Sequence, residues 1–231
     1  MKRFTALVAL GLALCIASSA DAQFSINTGY LGSTLRQKVT YAGKGLDTTM
    51  SMSNGFYAGL TYNVKTNIPL GVSVGAYVSY GMHSDRLVTE MGPMKTVVVS
   101  ELSMMEFAMP LHLSYKYDFS DDFSLIASAG PTLQVGLQGQ QSASTTITVM
   151  GTEQKTSFSG DLFKKQDGES GPYLTRFDIG VTLIAGIQYK KFRMQAGYNL
   201  GTLDRCGYAD GGNYSYDFHI NQFFAGVGYT F

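Results

Sequence analysis

The sequence predicts an all-β fold: an eight-stranded antiparallel up-and-down barrel that crosses a membrane, with short periplasmic turns and long outer loops. Three observations carry this expectation. Apolar and aromatic residues recur at every second position through eight segments, the period of a strand whose side chains alternate between two faces. The connections between those segments alternate long, short, long, short, long, short, long. The strand glycines fall mainly on the face opposite the apolar one: Gly59, Gly71, Gly75, Gly130, Gly180, Gly186, Gly197, Gly226 and Gly228. A greasy outside around a small, Gly- and Tyr-containing inside suits a narrow barrel in lipid. A soluble ligand-binding barrel would place its apolar face inward and its polar face outward.

The N-terminus opens with Lys2-Arg3, continues with an uncharged, mostly apolar run to about Ala17, and reaches Ala20-Asp21-Ala22 before Gln23. That pattern is a secretory signal with an A-x-A site, cut between Ala22 and Gln23. Cleavage leaves 231 − 22 = 209 residues as one β-barrel domain, residues 23–231. Acylation at Cys15 is the competing reading, disfavoured because Leu14 is large where a small residue is wanted. Cys206 is then the lone cysteine, so no internal disulfide is expected. No later segment approaches the ~20 continuous apolar residues of a spanning helix. Acidic and basic residues balance at 17 each without a basic stripe, which excludes nucleic acid as a partner.

The first strand runs from about Phe24 to Thr34, with Phe24, Ile26, Thr28 and Tyr30 on one face. A polar connection from Gln37 to about Asn54 follows. The second strand carries Phe56, Ala58, Leu60, Tyr62 and Val64 outward, and residues 65–69 form a short turn. The third strand alternates without exception from Leu70 to His83. A long connection covers Ser84 to Leu102, in which Thr96–Val99 extends a strand above the membrane. The fourth strand sets Met105, Phe107, Met109, Leu111, Leu113, Tyr115 and Tyr117 outward. Pro110 interrupts its inner face and predicts a bulge or kink, since proline donates nothing to a ladder. After the Asp118–Asp122 turn, the fifth strand runs from Phe123 to Val135. The longest connection spans 138–174, with Thr145–Val149 and Thr156–Phe158 as a projecting hairpin. The sixth strand covers Phe177–Tyr189, a Lys190-Lys191 turn follows, and the seventh covers Phe192–Leu200. A Gly/Asp/Tyr-rich connection, Thr202 to Asp217, leads to the eighth strand, Phe223–Phe231.

In lipid an unpaired backbone group costs several kcal/mol, so only an edgeless sheet survives. The eighth strand must therefore pair with the first. An even strand number puts both termini on the periplasmic side. Tyr229 and Phe231 are expected to form the C-terminal signal by which the barrel-assembly machinery recognises such chains.

Several segments together resemble the PorT-like outer-membrane β-barrel family of Bacteroidetes-type bacteria. They are Met109-Pro110-Leu111 with Tyr115, Ala129-Gly130-Pro131, and Asp178-Ile-Gly180 with Ala185-Gly186. Tyr198-Asn-Leu-Gly201 and the terminal Gly226-Val-Gly-Tyr-Thr-Phe231 complete the set. The resemblance covers essentially the mature chain, most clearly its second half. The family often carries an acid two positions before the strand-four proline; this chain has Ala108 there, with Glu106 nearby. The resemblance implies an outer-membrane location and a possible link to protein secretion. Most relatives have no assigned activity.

Inward-facing ionisable residues are the candidate site: Glu106, His112, Lys116, Asp178 and Arg193. An eight-stranded barrel is only wide enough to be filled by side chains, so these groups are expected to form a lumen polar network rather than an open pore. Lys116 and Arg193 belong near the short turns and Asp178 near the outer rim. A small proton or ion path is the alternative use of the same groups. Catalysis would need an acid/base beside an aligned nucleophile; His83, Asp217 and His219 are its only outer-rim candidates. The histidines lack ligand-like spacing, so no metal or cofactor is expected. Loop 138–174 and the Tyr208–Tyr216 loop are expected to engage an envelope or secretion partner, while the barrel wall meets outer-membrane lipid. Asn213-Tyr-Ser matches a glycosylation sequon of little weight in a bacterial chain. The sequence therefore points to a non-enzymatic outer-membrane barrel with a structural or docking role; the alternative is a small outer-membrane hydrolase or lipid-modifying enzyme.

Overall fold

The computed structural model describes residues 22–41, 44–64, 70–164, 173–207 and 214–231. The predicted signal segment, the 65–69 turn, the middle of the longest loop and the 208–213 segment with Asn213 lie outside the described residues. Among the described residues nine strands are formed: β1 Ala22–Tyr41, β2 Lys44–Val64, β3 Leu70–Met91, β4 Met94–Asp118, β5 Phe123–Val149, β6 Thr152–Asp161, β7 Phe177–Tyr189, β8 Phe192–Gly201 and β9 Tyr214–Thr230. All neighbours are antiparallel. Eight strands close a ring in the order β1-β2-β3-β4-β5-β7-β8-β9, and β9 returns to β1 from Ser25↔Thr230 to Tyr41↔Tyr214. The backbone ladder thus has no free edge at membrane height.

The side chains are inverted relative to a water-soluble protein. Ser25, Asn27, Thr61, Ser73, His112, Thr132, Gln134, Asp178, Thr182, Asn199 and Gln222 are buried. Phe24, Ile26, Phe56, Leu60, Leu111, Leu113, Leu183, Met194, Phe223 and Val227 are exposed. Such a surface is stable only where hydrocarbon replaces water. Aromatic residues gather at the short-turn end: Phe24 against Tyr62 (4.9 Å), Tyr117 against Phe119 (4.9 Å), and Tyr229 against Phe192 (5.4 Å) and Phe231 (5.2 Å). Tyr30, Phe56 and Tyr80 stand in register in a second row nearer the opposite end.

The expected long connections are largely strand. A spanning strand needs about 9–11 residues. β7 and β8 have 13 and 10, whereas β1 to β5 have 20 to 27. The surplus continues as hairpins beyond the membrane. Gln37–Asn54 is thus mostly a β1–β2 hairpin, and Ser84–Leu102 a β3–β4 hairpin turning at Gly92 (φ +60°). β5 pairs with β7 through its first half and with β6 through its second. The β5–β6 turn has φ > 0 at both Met150 (48°) and Gly151 (84°), the twist-matched hairpin geometry. These extensions escaped the period-two reading for a physical reason. With water on their flanks, they need no uniformly apolar face.

On the β1–β2 hairpin, Arg36 donates to both oxygens of Asp47 (Nε–Oδ1 3.1 Å, Nη2–Oδ2 2.5 Å). The hydrogen bonds from Arg36 hold the Asp47 carboxyl below the usual carboxylate range.

At Pro110 the register does not shift. The ladder lapses instead, with no β3–β4 pairs between Val74↔Leu111 and Tyr77↔Ala108. The register shifts occur at Ser33/Thr34, opposite the extra Met52, and at Met105/Glu106, opposite the extra Leu137. Both lie where the barrel leaves the membrane on the hairpin side. Such irregularities re-aim side chains. The second turns Gly139 inward after Gly136, and the Phe163 ring lies so close that a Cβ on Gly136 or Gly139 would approach it within 2.3 or 2.7 Å.

Candidate functional site

Because β7 and β8 are short, the barrel wall has a gap on the hairpin side, between the outer halves of β5 and β9. Backbone of the connecting segments fills it rung by rung. Leu162 N–H donates to Gly139 O (3.1 Å), Leu174 N–H to Leu162 O (2.9 Å), Thr175 N–H to Arg205 O (2.7 Å), Gly207 N–H to Tyr173 O (2.7 Å) and Arg205 N–H to Phe218 O (2.8 Å). The result is a lid continuous with the sheet. Its inner side is apolar: Leu162, Phe163 and Leu174 pack with Met52, Met104, Phe218 and Ile220, and Leu35, Leu102, Cys206 and Tyr216 rim the cluster. This cluster roofs the lumen below.

Arg205 hangs from the lid into that lumen and is 0 % exposed. Its Nη1 donates to Glu106 Oε1 (2.9 Å), while Nε and Nη2 donate to the Thr175 carbonyl (3.0 and 2.9 Å). The other Glu106 oxygen starts a chain of side chains. Gln222 Nε2 donates to Glu106 Oε2 (2.8 Å), Gln134 Nε2 to Gln222 Oε1 (2.5 Å), and Asn199 Nδ2 to Gln134 Oε1 (3.1 Å). Thr182 donates to Asn199 Oδ1 (2.9 Å) and meets Thr132 at 2.6 Å, which in turn meets His112 Nε2 at 3.2 Å.

The direction of every bond in this chain is fixed. Glu106 as carboxylate only accepts, so each amide donates toward it and accepts from behind. The single Thr182 proton goes to Asn199, so Thr132 donates to Thr182 and Nε2–H of His112 donates to Thr132. That assigns the His112 tautomer. Aligned donors polarise one another and strengthen the chain. Three consecutive amides carry its middle, and an amide does not hand on a proton without giving up its amide form. The chain is a brace across the lumen and a poor proton path.

The candidate residues are thus placed as follows. Glu106 and His112 stand at opposite ends of one chain. Asp178 is buried near Arg205 and feels its charge; its Oδ1 accepts from Leu203 N–H (3.4 Å), and its Oδ2 has no partner among the described residues. Arg193 lies deeper, on a cavity described below. Lys116 is outside the network: it sits half-exposed at the short-turn rim with Asp118 at 3.2 Å. Its parity is inward, but β4 ends two residues later and its long stem reaches water.

Arg205 and the neutral members Gln134, Asn199 and Gln222 were not among the expected site residues. The amides were findable, because strand parity puts them on the inner face. Arg205 had only an indirect signal, since two acids, Glu106 and Asp178, face inward near one rim without a strand-borne cation. His83 and His219 do not converge either. His83 faces inward and pairs with Asp85 (2.7 Å), whereas His219 has the opposite strand parity on β9.

A model of the outer membrane protein beta-barrel domain matches residues 5–231. Among solved structures, the attachment invasion locus protein Ail of Yersinia pestis is similar at 16 % identity, over 91 % of this chain and 99 % of that one, with a TM-score of 0.34. Neisserial surface protein A is similar at 12 % identity, over 91 % and 99 %, with a TM-score of 0.35. The outer membrane protease OmpT of Escherichia coli is similar at 12 % identity, over 92 % and 97 %, with a TM-score of 0.47. No curated protein sequence matches the chain.

Proposed function

The chain belongs to the outer membrane protein β-barrel domain family, and from that premise we propose that it is a closed-lumen barrel whose role in the cell envelope is structural or docking. One observation carries the reading: the lid is latched into the lumen by the fully buried Arg205–Glu106 pair. A solute would have to break a buried charge pair and an apolar cluster to pass. Work then falls to the outer surface, where the β1–β2, β3–β4 and β5–β6 hairpins stand clear of the membrane on a rigid base. In this reading residues 1–22 are removed on export, both termini face the periplasm, and Tyr229 and Phe231 serve recognition by the assembly machinery. The resemblance to the PorT-like family favours a secretion-linked envelope partner.

Photo-crosslinkers at Leu87 and Met150, near the two hairpin tips, test it in intact cells. Capture of the same envelope protein from both sites, and not from lipid-facing Leu183, is the expected result. Absence of any protein adduct at both tips would sink the docking role.

The His83–Asp85 pair is the one feature that favours a hydrolase or lipid-modifying enzyme, since a carboxylate orients the ring as a base would need. Among the described residues the only side-chain hydrogen-bond partner of His83 is Asp85. Replacing His83, His112 and His219 together is expected to leave peptide and lipid A substrates processed no differently from wild type. Loss of a measurable activity in that variant would establish the enzymatic reading instead.

A further inference from the structure

Below the brace the lumen opens into a cavity of about 90 Å³. At roughly 10–15 Å³ per water position, that is room for several waters or one small organic molecule. Its lining combines apolar Ile126, Ile184 and Phe224 with the polar groups of Arg193, Tyr57 and Gln195. Gln195 donates to the Tyr57 hydroxyl at 3.5 Å, a loose contact that leaves both groups able to turn toward a guest.

Arg193 is the anomaly. Lys116, Lys190, Arg36, Arg176 and Arg205 each have a carboxylate within 4 Å, but no ion pair or hydrogen bond of Arg193 occurs among the described residues. Its Nε is buried without a partner. No Asp or Glu lines the cavity. Of the two buried acids, Glu106 pairs with Arg205 at the lid end and Asp178 lies near that pair. Arg193 is partly buried, and no counter-charge offsets what that burial costs. Its planar fork of N–H donors matches a carboxylate in two parallel bonds.

We propose that this cavity is a binding site for a small organic anion, its carboxylate held by Arg193 and its short apolar body against Ile126, Ile184 and Phe224. The site lies below the latched lid, so a ligand held there is not conducted through the barrel. It adds a ligand to the docking reading and does not depend on it.

Calorimetric titration of the full-length barrel in detergent micelles with butyrate, against chloride and inorganic phosphate as controls, tests the proposal. One saturable butyrate site is expected, weakened at least tenfold in Arg193→Gln and less in Arg193→Lys. Ile184→Phe, which fills the cavity and keeps the cation, is expected to abolish binding. It decides the matter if Arg193→Gln does not fold, as judged by the heat-dependent gel mobility of barrels. The proposal is overturned by no saturable butyrate binding to wild type. Equal binding in the variants, or occupation by chloride or phosphate alone, would overturn it as well.

Discussion

Arg205→Ala is expected to destabilise the barrel by roughly 3–5 kcal/mol, the cost of breaking a buried ion pair from one side. Its effect should exceed that of Glu106→Ala. Arg205 pairs with the buried Glu106 carboxylate at 2.9 Å and also holds the lid. Removing it leaves that carboxylate without its cation, and strips two hydrogen bonds from the Thr175 carbonyl that anchors the lid. Removing Glu106 leaves Arg205 on the Thr175 carbonyl, and frees only Gln222 Nε2 at the head of the brace. Urea unfolding in lipid vesicles, followed by circular dichroism because the chain has no tryptophan, measures both. Equal losses in the two variants would contradict the double role of Arg205 as counter-ion and lid anchor. A Glu106→Gln/Arg205→Met double variant should recover much of the loss, since two matched neutral groups leave no orphaned charge.

Leu183→Arg gives the second large effect, and its sign separates two environments. Leu183 is 60 % exposed in the middle of β7, between Ala129 and Tyr198 on the neighbouring strands. In water, an arginine there would be harmless or would aid solubility. At the bilayer midplane the expected cost is about 2–4 kcal/mol. Unfolding free energies in vesicles should fall by that amount for Leu183→Arg and change little for Leu183→Phe. The adjacent Thr182 is 3 % exposed and bonds both Asn199 and Thr132. Thr182→Val should cost less, at about 1–3 kcal/mol for the orphaned partners. A neutral Leu183→Arg in vesicles would mean that this face does not meet hydrocarbon.

The barrel was legible in the sequence because lipid imposes one rule on every spanning residue. Leu70 to His83 shows it without exception, and both the eight-strand ring and its closure by β9 onto β1 follow from that rule and the alternating connections. The hairpin extensions were not legible, because above the membrane the rule lapses. Leu46, Leu87 and Met150 are apolar and exposed there, beside Asp47, Arg86 and Gly151 respectively, so no face stands out.

The candidate site was half legible for a related reason. Strand parity puts Glu106, His112, Asp178 and Arg193 inside the barrel. Parity says nothing about residues delivered by loops, and the central cation, Arg205, comes from a loop. Parity also misjudged Lys116, since facing inward at a rim is not burial. The bulge or kink expected at Pro110 is only a lapse in the β3–β4 ladder without a register shift; the shift fell at Met105/Glu106, where Gly136 and Gly139 must make room for Phe163.

The closed lumen is tested most directly by single-channel recording of the purified wild-type barrel in a planar lipid bilayer. The latched lid predicts no sustained conductance steps at either polarity, with brief openings only in Arg205→Ala. Large, stable currents from the wild-type protein would contradict it.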